Sequence, residues 1–148
     1  MIIVSACLAG MATRYDGGRI QADLPFDSAS AFIIPVCPEQ LGGLPTPRAP
    51  ACIADGSGED VLAGNAKVMT KDGVDVTDNY LRGADEVARL AKRFNIRQAF
   101  MTERSPACGV TVIKDTDGNA RKGCGVTVAA LKAIGVTCVG ITARKPED

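Results

Sequence analysis

Three cysteines occupy comparable places in this chain, each in a loop that directly follows an apolar run predicted to be a β-strand. They are Cys7, Cys37 and Cys108. Glycine or proline residues follow each of them and end the strand, so all three thiols are expected at the carboxyl ends of strands. In an open α/β sheet, the loops that leave these ends form the crevice in which ligands bind. A carboxylate, Glu39, lies in the same loop as the second thiol.

Thiols that converge from three strands would make an open metal site, because a closed tetrahedral site needs a fourth ligand. Thiolate ligation suits zinc or an iron–sulfur cluster. A cluster held by three cysteines keeps one iron free to bind substrate as a Lewis acid. The alternative is three separate buried thiols, since free cysteine is among the residue types most often buried.

The chain has six cysteines and shows no secretory signal, so a disulfide framework is not expected. Cys138 lies within an apolar strand and is predicted to be a core residue. Cys124 opens a helix between two glycines and Cys52 follows a proline-rich run, so either could be exposed and dispensable.

Composition narrows the chemistry further. The absence of histidine excludes Ser-His-Asp and Cys-His pairs, zincin motifs and Cys/His zinc fingers, so a general base must be a carboxylate, Lys, Tyr or Cys.

The 17 basic and 17 acidic residues balance, and tryptophan is absent, so no obligate nucleic-acid partner is expected. No apolar run has the length of a membrane span and no charged leader precedes the first strand, which predicts a cytoplasmic protein without a membrane partner. The oligomeric state stays open.

The elements that position the thiols alternate between strands and helices. Apolar runs predict strands at residues 2–6, 31–34, 98–102 and 136–141. Helices are predicted at residues 77–94 and 126–134, with a short one at 25–30. The loop 36–48 is too rich in glycine and proline to continue a strand or a helix. Short alternating pieces predict a small antiparallel excursion within residues 51–76, and a hairpin follows residue 110.

The helix at 77–94 has the clearest pattern. Thr77 is the expected N-cap and Asn95 the expected stop. The apolar face recurs at helical spacing and comprises Tyr80, Ala84, Val87, Ala91 and Phe94. Together these elements predict one α/β domain over residues 1–148, with a mostly parallel, Rossmann-like sheet and helices on both faces.

Six short motifs identify a family. They are SACLAG at residues 5–10, RYDG at 14–17, CPEQLGGLPTPR at 37–48, DVT at 75–77, SPACG at 105–109 and GVT at 125–127. In this order they resemble the successive signatures of the thiouracil desulfidases, formerly a domain of unknown function. The resemblance covers nearly the whole chain, and the long CPEQ loop is its most specific part.

The resemblance implies an enzyme that removes sulfur from a thiolated nucleobase or nucleoside, a hydrolase or lyase that works without redox chemistry. It implies a [4Fe-4S] cluster held by Cys7, Cys37 and Cys108, with Glu39 and Ser105 as the catalytic side chains. Glu39 would deprotonate a water that attacks the thiocarbonyl carbon, and Ser105 would relay a proton or hold the ring. The substrate pocket would be lined by Arg14, Tyr15 and Arg48.

Three other interpretations fit parts of the pattern. The first is a small α/β domain with a structural, cysteine-ligated zinc and no catalysis. The second is a Rossmann-like nucleotide-binding module, although the fingerprint G-x-G-x-x-G is absent after the first strand. The third is a cysteine-based sulfur carrier. Only the desulfidase accounts for three thiols and a carboxylate at strand ends together.

Overall fold

A computed structural model of the chain describes residues 1–146. In chain order its elements are β1 (Ile2–Ser5), β2 (Ile33–Val36), α1 (Pro38–Leu41), β3 (Ala51–Ala54), α2 (Gly58–Leu62), β4 (Lys67–Thr70), α3 (Thr77–Arg93), β5 (Gln98–Thr102), β6 (Val112–Lys114), β7 (Ala120–Lys122), α4 (Val126–Ala133) and β8 (Thr137–Ile141). Within residues 1–146, no helix is long and apolar enough to cross a membrane.

The central sheet has the strand order β2-β1-β5-β8, and every neighbouring pair in it is parallel. The chain places β2 on one side of β1 and later places β5 on the other side, so the order reverses between β1 and β5. Loops that leave the carboxyl ends of strands diverge at such a point and open a crevice. The mostly parallel α/β architecture predicted from the sequence is therefore confirmed, and the crevice lies between the strands that precede Cys7 and Cys108.

The two faces of the sheet are covered differently. Ile3 and Met101 face a core that is shared with α2, α3 and α4. Val4 and Phe100 point the other way and pack against the irregular segment 20–26, where the Phe26 and Phe100 rings lie 4.8 Å apart. Helices on both faces were expected, but this second face is covered by extended chain. Its scattered apolar side chains suffice to cover a sheet that has only four strands.

The antiparallel excursion is confirmed as the pair β3 and β4, and β6 and β7 form the predicted hairpin. The sequence pattern missed α2, which lies between β3 and β4. It begins with a capping box, in which the Ser57 side chain and the Asp60 side chain each bond to the other's backbone. Such a box supports a helix too short to show periodicity.

The second strand and the loop after it differ from the prediction. The strand begins at Ile33, two residues later than expected, and Phe32 is 81% exposed. The next residues form the single turn α1, although a loop without helix was predicted. Proline is compatible with this turn because Pro38 occupies a first-turn position, where its missing N–H would have had no partner.

The long helix α3 confirms the prediction with three corrections. Its N-cap is Val76, because the Thr77 hydroxyl accepts a hydrogen bond from the Val68 N–H at 2.9 Å and does not cap the helix. Phe94 was assigned to the apolar face but is 50% exposed. The helix ends one residue earlier, at Arg93, and Asn95 follows with a φ of 52°.

Two predictions near the ends of the chain also need correction. The helix expected at residues 25–30 is a turn, since the Asp27 side chain accepts from the Ala29 N–H at 3.0 Å and offers the backbone a partner outside a helix. The carboxyl-terminal tail was expected to be loose, yet Arg144 pairs with Gln21 as an isolated antiparallel bridge. The last two residues of that tail lie outside the described residues.

Candidate active site

A cavity of about 370 Å³ opens at the carboxyl ends of β1, β2 and β5. Cys7, Cys37 and Cys108 all line it, so the three thiols that the sequence singled out meet in one place. The other candidate residues line the same cavity, namely Glu39, Ser105, Arg14, Tyr15 and Arg48. Cys52, Cys124 and Cys138 are not part of its lining.

The three cavity thiols are held away from water. Burial raises the pKa of Cys7 to about 11, and the charges of Glu39 and Cys37 add to the effect. Burial and the nearby Glu39 likewise raise the pKa of Cys37 to about 11. Cys108 is 3% exposed, and burial raises its pKa well above the usual value. As free thiols all three are protonated at neutral pH, and metal binding would displace their protons.

A polar group near each cavity sulfur lowers the pKa of the thiol against the effect of burial. These groups are the Leu8 backbone near Cys7, the Gln40 backbone near Cys37 and the Ser5 hydroxyl near Cys108. In the structure the Leu8 N–H donates to the Ser5 carbonyl at 2.9 Å and the Ser5 hydroxyl donates to the Met101 Sδ at 3.8 Å. Donors to sulfur are among the features that tune protein-bound iron–sulfur clusters. The polar groups near the sulfurs therefore favour anionic, metal-bound thiolates.

The carboxylate of Glu39 lies directly beside a thiol. The residue is in the first turn of α1 and is 7% exposed. Its Oε2 accepts from the Cys37 Sγ at 3.4 Å and lies 3.9 Å from the Arg48 Nη2, too far for a hydrogen bond but within ion-pair range. The acid predicted from sequence spacing thus sits between a thiol and a cation at the cavity wall.

Arg48 connects two of the loops around the cavity. Its Nη2 donates to the Thr13 carbonyl at 3.0 Å and its Nη1 donates to the Thr46 hydroxyl at 3.0 Å. Its backbone N–H donates to the Tyr15 carbonyl at 2.7 Å. Arg48 was expected as a pocket residue, and it does line the cavity, but these bonds fasten its guanidinium to the protein.

Ser105 shapes the loop that carries Cys108. Its Oγ accepts from the Ala107 N–H at 3.1 Å and from the Cys108 N–H at 3.0 Å. The Glu103 carboxylate accepts from the Thr111 N–H at 3.0 Å and closes the far side of the same loop. Because the Ser105 oxygen serves as acceptor in both bonds, its own proton is left for donation.

Two glycines allow α1, the helix of Glu39, to lie directly on α3. A Cβ built on Gly83 would stand 2.0 Å from the Pro38 carbonyl oxygen, and one on Gly42 would stand 2.0 Å from the Asn79 carbonyl oxygen. The helices touch backbone to backbone at these points. Tyr80, three residues before Gly83 on α3, is thereby brought into the cavity wall.

Gly83→Ala should therefore lower the free energy of unfolding by about 2 kcal/mol or more, although alanine is intrinsically the better helix former by about 1 kcal/mol. The added methyl must push α1 off α3. Urea unfolding of the variant would measure the change. Gly18→Ala is the matched control, since its Cβ would meet only the exposed Asp16 side chain. Equal stability of Gly83→Ala and the wild type would contradict the close contact.

The mouth of the cavity is cationic. The Arg14 guanidinium lies 5.6 Å from the centre of the Tyr15 ring, and Tyr15 is 38% exposed. Burial lowers the pKa of Lys114, and the charges of Arg104 and Arg14 lower it further. Within residues 1–146, none of these three cations forms an ion pair with a carboxylate.

Tyr80, Glu103 and Lys114 line the cavity but were not singled out from the sequence. Tyr80 was assigned to the apolar face of α3, where its spacing matched the alanines and valines. The one available signal was a phenol in a stripe otherwise built of aliphatic side chains and Phe94. One of the remaining cysteines also differs from expectation. Cys124 could have been exposed according to the sequence, but it is buried, with 3% of its surface exposed.

The grouping of the metal-ligating side chains bears on which kind of metal site they could form. Among the residues that the model describes, no three His, Cys, Asp or Glu side chains are grouped closely enough to hold a single metal ion. A mononuclear zinc site needs such a group. Three thiols that line one cavity are ligands of the type that holds an iron–sulfur cluster, in which different irons bind different cysteines.

Comparisons with known proteins identify the family of the chain. YbbK, an uncharacterized protein of Bacillus subtilis (strain 168), is 42% identical over 140 residues, which is 91% of each chain. A solved structure of the [4Fe-4S]-dependent thiouracil desulfidase TudS matches with a TM-score of 0.78 and 36% identity, covering 94% of this chain and 89% of that one. The family model of the 2-thiouracil desulfurases matches residues 2–141. The resemblance seen in the sequence motifs is confirmed, and the chain belongs to the 2-thiouracil desulfurase family.

Proposed function

We propose that this chain is an iron–sulfur-dependent desulfidase that hydrolyses the C–S bond of a thiolated pyrimidine base or nucleoside. Water replaces the sulfur, so a thiocarbonyl and one water give a carbonyl and hydrogen sulfide, with no change in oxidation state. The observation that carries the proposal is the meeting of three thiols, a carboxylate and a serine hydroxyl around one cavity. The family match and the likeness to TudS support it.

The ligands of a [4Fe-4S] cluster would be Cys7, Cys37 and Cys108, which line the same cavity. When bound by three cysteines, the cluster would supply one open, thiophilic iron as a Lewis acid. The protein supplies the positioning of the substrate and the transfer of protons.

Glu39 is the proposed general base. Its Oε2 lies at the cavity wall, next to a ligand thiol, where it would take a proton from the attacking water. Arg48, 3.9 Å away, limits the motion of the carboxylate and provides a positive charge beside it. The carboxylate is 7% exposed, so bulk water does not compete freely for it.

Ser105 is the proposed proton donor. Its Oγ accepts two backbone hydrogen bonds, which fix the oxygen and leave its proton available to a substrate atom in the cavity. Because the accepting bonds come from Ala107 and Cys108, the hydroxyl is fixed relative to a ligand thiol. Ser105 would hold the pyrimidine ring in register or pass a proton to the departing sulfur.

The cationic mouth favours a substrate that carries an anionic group. Arg14, Arg104 and Lys114 lie close enough together for their charges to lower the pKa of the lysine, and no carboxylate pairs with them among residues 1–146. A phosphate would relieve their mutual repulsion. We therefore expect a thiolated nucleotide to bind more tightly than the free base.

The test is hydrosulfide release by protein reconstituted with iron and sulfide without oxygen, and without any added electron donor or acceptor. The substrates are 2-thiouracil, 4-thiouracil, 4-thiouridine and 4-thiouridine 5′-monophosphate. We expect turnover of at least one, with the lowest KM for the monophosphate. Protein that binds one zinc per chain and releases no hydrosulfide would instead support the structural domain without catalysis.

A further inference from the structure

Tyr80 lies in the wall of the proposed active site although it belongs to the helix α3. It is 4% exposed and lines the same cavity as the three thiols. It is close enough to Glu39 and Arg48 for their charges to act on it.

The Tyr80 hydroxyl has no hydrogen-bond partner in the part of the protein that the structure describes. Among residues 1–146, no backbone or side-chain group forms a hydrogen bond with it. Thr127 Oγ1 is the one side-chain oxygen among these residues that is both fully enclosed and without a partner, so the Tyr80 oxygen is not fully enclosed. The Tyr80 oxygen therefore reaches free space, and the free space that this residue borders is the cavity. Buried phenols almost always satisfy their hydroxyl, so this hydroxyl is available to water or to a ligand that displaces the water from the cavity.

The hydroxyl is suited to donate a hydrogen bond. Burial raises its pKa well above the usual value, and the charge of Glu39 adds to the effect, so the phenol keeps its proton. A pyrimidine ring presents carbonyl and ring-nitrogen acceptors at its edge. The surrounding wall contributes apolar surface from Val36, Pro38 and Pro106, against which a flat ring can pack.

We propose that Tyr80 is a substrate-binding residue, whose phenol donates a hydrogen bond to an acceptor atom on the pyrimidine ring of the thiolated substrate. This inference rests on the proposed function for the identity of the ligand. It assigns Tyr80 a part that differs from those of Glu39 and Ser105, since it orients the ring and transfers no proton.

Tyr80→Phe tests the inference, because it removes the hydroxyl and keeps the ring. Two quantities are measured with cluster-loaded protein: the Kd of uridine, and kcat/KM for hydrosulfide release from 4-thiouridine. Uridine is the product of that reaction and cannot turn over. Loss of one neutral hydrogen bond should weaken both by about tenfold. Iron content, visible absorption and melting temperature should stay at the wild-type values, because the hydroxyl binds nothing in the protein.

Thr127→Val is the matched control. It removes the other buried hydroxyl that lacks a partner, but Thr127 does not line the cavity, so the Kd of uridine should not change. Equal Kd values for wild type and Tyr80→Phe would overturn the inference, as would a wild type that does not bind uridine. A wild type that binds uridine but releases no hydrosulfide would count against the proposed function alone, and the Kd of Tyr80→Phe would still decide the role of Tyr80.

Discussion

Cys37→Ala is expected to abolish stable cluster loading. The three cavity thiols are the only proposed protein ligands, so removing one leaves two cysteines to hold a cluster that already has one open iron. Changes to residues that only support metal ligands typically lower affinity by about 10- to 100-fold, and loss of a ligand should cost at least as much. Protein reconstituted without oxygen should lose its brown colour and most of its iron, as measured by visible absorption and iron analysis.

The chain offers its own controls for this result. Cys52 and Cys138 are partly buried free cysteines that do not line the cavity, and serine at either position should leave cluster loading unchanged. Loss of iron in Cys52→Ser would assign a ligand outside the cavity. Full iron content in Cys37→Ala would remove Cys37 from the ligand set and, with it, the proposed three-thiol site.

The three thiols of the candidate site were easier to predict from the sequence than the other residues that line the cavity. Cys7, Cys37 and Cys108 could be found because the loops that leave the strands of a parallel sheet meet at one edge, whatever the details of the fold. Tyr80 could not be found in this way, since its spacing on α3 matches that of core residues. Which of several apolar-face residues borders a cavity depends on how α1 lies on α3, and that packing is set by contacts distant in sequence.

Short elements were the weakest part of the fold prediction. The turn α1 and the helix α2 contain four and five residues, too few for a periodic pattern to emerge. The absence of a helix from the second face of the sheet was missed for a related reason. Continuous apolar runs in the strands indicate that both faces of the sheet are buried, but they do not say whether a helix or an irregular segment such as residues 20–26 provides the cover.

Glu39→Gln should retain the cluster and lower kcat by about 10²- to 10⁴-fold, the usual contribution of a positioned general base. Glutamine matches glutamate in size, so the buried side chain can stay between Cys37 and Arg48 while its amide can no longer take a proton. Alanine would also remove the base, but it would open space beside a ligand thiol and confuse loss of catalysis with loss of cluster. Single-turnover release of hydrosulfide, with iron content measured on the same sample, would separate the two.

Glu59→Gln provides the control, because Glu59 lies close enough to a cysteine, Cys124, to affect its pKa but does not line the cavity. Both substitutions remove a negative charge from near a thiol, but Glu39 is buried in the cavity wall and Glu59 is exposed outside it. We expect wild-type turnover for Glu59→Gln. If Glu39→Gln also turned over at the wild-type rate, the water would have to lose its proton to another group, and the hydroxyls of Ser105 and Tyr80 are poor bases. Attack by hydroxide from bulk solvent would then remain, and it predicts a rate that rises with pH in proportion to hydroxide, whereas catalysis by Glu39 predicts a plateau once the carboxylate is ionised.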